Sequence, residues 1–262
     1  MEKFLLVHVP TLLLAVLCVG AAVGLGIGGL LLVRRSVALS TLERHNDVAG
    51  FIIAVIGVLY AVLLAFVVVI SWQSFDSATQ TANSEAELVV GLYRDASAFG
   101  PQTEAIRREL HNYAQLVVTR EWPAMDKHQH EDLRTDESLD DVWTAYRAFT
   151  PQNSTQEAFY SDSIRRLNDL QNDREDRLSD ASTELPGPLW GVLLAGAVIT
   201  VGFTYFFGVG NLRAHTLMVA ALAAIIGLTL FLIVSLDLPY TGDFSVQPTG
   251  MQRAVSALAR YR

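Results

Sequence analysis

Residues 50–70 read GFIIAVIGVLYAVLLAFVVVI, an apolar run with no charge in it, followed by the polar step Ser71-Trp72-Gln73-Ser74. A helix needs roughly 20 apolar residues to cross the hydrocarbon core of a bilayer, so this run is long enough to span one. Three others resemble it, Val9 to Val33, Leu189 to Val209 and Thr216 to Leu236, and the four stand in pairs toward the two ends of the 262-residue chain. The expected fold is therefore all-α: an integral membrane protein with four transmembrane helices in two hairpins and a helical soluble insert between spans two and three. The boundaries read as 1–72 for the first hairpin, 73–188 for the insert, 189–240 for the second hairpin and 241–262 for a C-terminal tail.

Charge is segregated in the same way. The insert holds 22 Asp and Glu against 11 Arg and Lys, a net of −11, whereas the whole chain carries −8. A field of that sign repels nucleic acid and anionic lipid, so neither is an expected partner of the insert. The single cysteine, Cys18, sits inside the first apolar run with no partner, which excludes disulfide and thiol chemistry. That run is longer than the roughly 7–15 apolar residues of a signal peptide and is closed by Arg34-Arg35, so it reads as a retained span.

Small residues mark the first two spans. Residues 24–29 satisfy G-x-G-x-x-G by letter, but a dinucleotide loop joins a strand to a helix in water, and this one lies in hydrocarbon. Gly20, Gly24 and Gly28 recur every four residues, the spacing that lets helix backbones approach in lipid. In the second span Gly50, Ala54, Gly57, Ala61 and Ala65 share one helical face, with Phe51, Val55, Val58, Val62 and Phe66 one position behind. Two readings of that face stay open: tight helix packing, or the wall of a narrow apolar pore. Asn46 and Asp47, at the mouth of the span beside Arg44 and His45, read as a helix cap or as a polar ring around such a pore. Tyr60, within the span, requires a partner for its hydroxyl, on a neighbouring helix or in pore water.

In the insert, apolar periodicity continues past Trp72 through Leu88, Leu92, Ala96 and Phe99, which predicts one long helix stopped by Gly100-Pro101. A second helix carries Ile106, Leu110, Tyr113 and Val117 and is expected to end at Trp122-Pro123. Residues 124–137 read as a loop, and a short helix with Leu139, Val142, Tyr146 and Phe149 follows. Ser154-Thr-Gln-Glu157 has the pattern of a capping box. It opens a helix whose seam, Tyr160, Ile164, Leu167, Gln171, Arg174, Leu178, Ala181 and Leu185, is expected to pack along the extension of the second span. Beyond the last span, Asp237, Pro239, Gly242 and Asp243 form a membrane-edge turn whose carboxylates require water or a partner. Residues 251–262 read as a short amphipathic helix with Arg253, Arg260 and Arg262 available to lipid phosphate or to the acidic insert.

Catalytic and metal motifs do not assemble. His128, His130, Glu131 and Asp132 have ligand chemistry but lie in the most polar loop, and Asp136, Glu137, Asp140 and Asp141 lack EF-hand spacing. With no P-loop, HExxH or nucleophile–base set, the chain is expected to be no enzyme and to hold no metal or cofactor.

Taken together, His45-Asn46-Asp47-Val48-Ala49-Gly50, Tyr60, Glu85-Ala86 with Leu88, Leu92-Tyr93-Arg94, Glu121-Trp122-Pro123 and Leu236-Asp237-x-Pro239-x-x-Gly242-Asp243 resemble the bestrophin-like domain family over nearly the whole chain. That family is remotely similar to bestrophins, pentameric anion channels in which one span lines an apolar neck and helices between the middle spans enclose a cytosolic cavity. The resemblance implies a homo-oligomeric ion channel, a pentamer by analogy, conducting anions first, with lipid, its own copies and inorganic ions as partners. It places the protein in the inner or plasma membrane with the insert in the cytoplasm, whereas the flanking Arg and Lys residues slightly favour the other side. The dense acidic calcium clasp of animal bestrophins is missing. Because a wall of net −11 concentrates cations, a cation channel remains an alternative, as does a non-conducting scaffold or sensor whose acidic domain binds a protein.

Overall fold

A computed structural model describes residues 11–43, 46–127 and 132–261. In chain order the helices are α1 (Thr11–Ser36), α2 (Leu39–Glu43), α3 (Asn46–Ser97), α4 (Glu104–Leu116), α5 (Trp122–Asp126), α6 (Leu133–Ala148), α7 (Ser154–Ser182), α8 (Gly187–Thr204), α9 (Leu212–Asp237) and α10 (Thr249–Leu258). No strand occurs among the described residues. By length and composition α1, α3, α8 and α9 can each cross a membrane.

The chain divides into two units. The first takes in the chain up to Gln73 together with Glu184–Asp237. Here α1 packs most closely on α9. A Cβ at Gly26 would stand 3.2 Å from Cβ of Ala223, and one at Gly227 would stand 2.9 Å from Cβ of Ala22, so glycine on each helix permits the approach. Gly20, Gly24 and Gly28, the row expected to pack, have open space beside them within the chain. Gly26 lies two residues from Gly24 and from Gly28, about 200° around the helix, so the contact uses the opposite side. α3 meets α8 at Tyr60, whose ring sits 2.4 Å from where a Cβ of Gly196 would be. Packing thus joins spans across the two hairpins drawn from chain order, first to fourth and second to third.

The second unit comprises Ser74–Thr183 and Leu238–Arg262. Its core gathers Val89 and Leu92 of α3, Leu110 and Tyr113 of α4, Val142 of α6, Leu167 and Leu170 of α7 and Met251 of α10. The expected long helix ends where predicted: α3 stops at Ser97, and Gly100 takes φ +79, a conformation that an L side chain resists, before Pro101. The next helix departs from expectation. Pro123 has no N–H to give the carbonyl of Thr119, yet the chain stays helical to Asp126, because residues Val117–Glu121 widen into a π turn in which the Trp122 N–H reaches the carbonyl of Val117. α6 likewise begins at Leu133, inside the expected loop, because the Asp132 carboxylate caps it by accepting from the Thr135 N–H at 3.1 Å. The cap of α7 is Asn153 rather than Ser154. Its Oδ1 accepts from the Gln156 N–H at 2.9 Å, and Gln156 Oε1 in turn accepts from the Gln152 N–H at 2.7 Å. The expected tail, 241–262, joins the core of this unit through Val246, Met251 and Leu258, and Tyr240, placed by expectation in the second hairpin, is buried there too.

Candidate functional site

In its membrane portion α3 has two unlike sides. Tyr60, Leu64, Val67 and Ser71 recur by four and three and are buried against the rest of the first unit. At about 100° per residue, Phe51, Val58, Val62 and Val69 fall on the opposite side, with Val55 and Phe66 flanking them. That side is uncovered: Phe51 is 75% exposed, Val58 63% and Phe66 64%, with Val55 and Val62 each about half exposed. Gly50 and Gly57 meet nothing within 4 Å, and Ala54, Ala61 and Ala65 are exposed, so the small-residue row also has no partner among the described residues.

Two residues with a pore reading left open, Tyr60 and Asn46, turn toward the rest of the chain. Tyr60 is only 6% exposed, and its hydroxyl donates to the carbonyl of Leu193 at 3.0 Å, so the neighbouring helix satisfies it. Asn46 begins α3 but turns its amide to the α8–α9 loop. Its Nδ2 donates to the carbonyl of Gly208 at 3.1 Å, and its Oδ1 accepts from the Gly208 N–H at 2.9 Å. A Cβ at Gly208 would stand 2.3 Å from the backbone nitrogen of Glu43, so only glycine fits the bracket, and Arg34 adds a second tie by donating to the carbonyl of Val209. Of the two described mouth residues, Asp47 stays on the exposed side. Arg44 and His45 lie outside the described residues.

The turn at Asp237–Asp243, expected at a membrane edge, is tied down on both flanks. Asp237 Oδ1 accepts from the Leu185 N–H at 2.8 Å. The carbonyl of buried Pro239 accepts from the Val246 N–H at 2.7 Å, and Gly242 adopts φ +81. Tyr240 donates to the carbonyl of Ala78 at 2.9 Å and stands edge-on to Trp122, whose indole N–H donates to the carbonyl of Val246 at 3.0 Å. Asp243 is exposed.

The second unit holds a buried ion network. Arg177 and the two carboxylates it binds, Glu85 and Glu121, are inaccessible to solvent. Arg177 donates from Nε to Glu85 Oε2 at 2.5 Å and from Nη2 to Glu121 Oε2 at 2.6 Å. Arg174 bridges Glu121 Oε1 at 2.7 Å and Asp136 at 2.9 Å, while Tyr113 donates to Glu85 Oε1 at 2.6 Å. Burial and the adjacent Glu85 push the Tyr113 hydroxyl well above its ordinary range. Burial opposes the charge on Arg177, but Glu85 and Glu121 outweigh it and hold the guanidinium protonated beyond its usual range. Every carboxylate oxygen of Glu85 and Glu121 is engaged, so the network clamps α3, the π turn, α6 and α7 and leaves no nucleophile or open ligand position.

Sequence reasoning placed Arg174 on the α7 seam but missed Arg177. The signal was there: Leu170, Arg174, Arg177 and Ala181 follow the same four-and-three spacing as the buried face. Among the described residues no three His, Cys, Asp or Glu side chains gather where a metal would bind. Asp136 turns to Arg174 instead, and His128, His130 and Glu131 lie outside the described residues.

A family model described as the Bestrophin-like domain matches residues 20–251. No curated protein matches the chain. Among solved structures, the fold is similar to two variants of a bacterial bestrophin homolog from Klebsiella pneumoniae. One has a TM-score of 0.73 at 13% identity and the other 0.70 at 12%, and each match covers 93% of this chain and 98% of the other. A third structure, described as a membrane protein, matches with a TM-score of 0.69 at 13% identity over 93% of this chain and 98% of its own.

Proposed function

The chain belongs to the bestrophin-like domain family, and from that premise we propose that it is a passive ion channel assembled from copies of itself, five by analogy with bestrophins. Each copy contributes the uncovered side of α3 to a central axis. The observation that carries this reading is the apolar row Phe51, Val55, Val58, Val62 and Phe66, left exposed opposite the packed row of the same helix. The unpartnered small residues beside it let neighbouring helices approach closely, and a ring of apolar side chains is a known form of ion gate. Asp47 stands at the mouth of this neck. The protein resides in the cell membrane with its acidic unit in the cytoplasm, and anions are the first candidate ions by kinship. The net charge of −11 on the insert supports the second reading, a cation path, because it attracts cations and repels chloride.

Purified protein in liposomes tests both readings. Chloride flux above that of empty liposomes supports the first and potassium flux the second. If folded, inserted protein gives neither, conduction is refuted and the scaffold reading takes its place. A monomer in mild detergent has the same consequence. Val62→Ala and Phe66→Ala are expected to raise conductance while changing stability by no more than about 0.5 kcal/mol, since both side chains are exposed within the subunit. A large loss of stability with no change in flux would mean that the row only packs.

A further inference from the structure

The second unit carries a groove of ≈ 530 Å³ between α3 and α10. The floor is small and apolar, from Ala86, Val90 and Gly91 of α3 and Ala254 and Ala257 of α10. Three arginines rim it: Arg94, Arg166 and Arg253, against one acid, Glu87. Arg166 is already engaged by Asp162 at 2.8 Å and Asp95 at 3.5 Å. Arg94 has no ion pair among the described residues, and Arg253 gives only its Nε, to the carbonyl of Thr249 at 3.2 Å. Two arginines facing one groove, Arg94 of the acidic insert and Arg253 beyond it, thus keep free donor nitrogens.

A complementary surface lies on another part of the same unit. The outward side of α6 presents Leu133, 73% exposed, and the exposed carboxylates of Glu137, Asp140 and Asp141, which fall on one side of the helix. α6 packs on α4 and α7 and contributes nothing to the groove, so within one copy the two surfaces are fixed apart.

We propose that the arginine-rimmed groove of α3 and α10 receives the acidic outward side of α6 from a second copy of this chain. The floor of alanine, glycine and valine admits a helix at close range, and the free guanidinium groups meet its carboxylates. Because the two surfaces differ, the contact is head-to-tail, the type that closes a ring when the rotation allows. This inference rests on the oligomeric reading above and specifies which surfaces join its subunits.

The test uses the full-length protein in detergent. Cys18 is the only cysteine, so a Cys18→Ala background permits site-directed cross-linking. With Arg94→Cys and Asp140→Cys in one chain, a short bismaleimide is expected to give a ladder of covalent multimers, and neither single variant is expected to give a covalent dimer. Separately, Arg94→Glu with Arg253→Glu is expected to shift the oligomer toward monomer in size-exclusion chromatography, and adding Asp140→Arg with Asp141→Arg is expected to restore it. An oligomer that gives no ladder and ignores the charge reversals overturns the docking while leaving the oligomeric reading intact. A covalent dimer from the Arg94→Cys single variant also overturns it, because grooves would then face one another. A monomeric parent protein overturns both.

Discussion

Replacing Arg177 with methionine keeps much of the side-chain volume and removes the cation at the centre of the buried network. Glu85 is then left with the Tyr113 hydroxyl and Glu121 with Arg174, both carboxylates remaining out of reach of solvent. Breaking a buried pair by removing one partner costs about 3–5 kcal/mol, mostly the penalty of the uncompensated charge. At about 1.4 kcal/mol per tenfold, this lowers the hydrogen-exchange protection of the most stable amides in the second unit by roughly a hundred- to a few-thousand-fold. Mass spectrometry of the detergent-solubilised protein reads it directly in peptides covering residues 78–96 and 163–181. Arg177→Met with Glu85→Gln is expected to recover part of the loss, since one stranded charge is gone. A loss below about 1 kcal/mol in the single variant would refute the reasoning, because the carboxylates would then be reached by water and the network would count as a surface ion pair.

Gly196→Ala is expected to destabilise the first unit by about 1–3 kcal/mol, because the new Cβ would stand 2.4 Å from the Tyr60 ring, which its bond to Leu193 holds in place; unchanged monodispersity after heating in detergent would count against it. Asp132→Ala is expected to cost about 1 kcal/mol by uncapping α6, read as faster exchange of its first turn. Burial raises the Asp132 pKa, but Arg120 and the Thr135 N–H outweigh it and hold the carboxyl below its ordinary value; the contribution of this cap is therefore present above about pH 4 and is lost as pH falls through the lowered value. Asp173 has the opposite sign. Burial, helped by the charges of Glu85, Asp176 and Asp169, outweighs the hydrogen bond from Ser84 and raises its carboxyl, so the folded unit is favoured below about pH 4 and disfavoured as pH rises through the raised value. Asp173→Asn is accordingly expected to raise the melting temperature at pH 7 and to give no gain near pH 4; a lowered melting temperature at pH 7 would contradict this.

The membrane helices were legible because hydropathy needs no partner to be read, and the length of α3 because no breaker interrupts it before Gly100-Pro101. Spacing alone also isolated the row Phe51 to Phe66. Which side of α3 packs was not legible, because the spacing of Tyr60, Leu64 and Val67 is as regular as that of the exposed row, and only contact with α8 separates them. The same limit misplaced the glycine contact of α1, which depends on where α9 lies. Asn46 was recognised as a possible cap, but its bracket with Gly208 joins residues 162 apart in the chain, which no local pattern records. Glu85 and Glu121 stood within recognisable motifs, yet their role required the Arg177 that both bind. The π turn had a single sign in the sequence, Pro123, and a proline there is more readily taken as a helix end.

The second unit is written in two pieces of chain, with α8 and α9 between them. During synthesis the carboxylates of Glu85 and Glu121 emerge long before Arg174 and Arg177, and Trp122 emerges long before Val246, the acceptor for its indole. Folding of this unit therefore cannot finish domain by domain from the N-terminus, as consecutive domains do. It must wait until both later spans have been made and α10 has followed them, with an incomplete apolar core in the interval. A ribosome that stops after Asp237 thus leaves all four spans built and the insert still open, and it is the segment from Leu238 to Leu258 that closes it.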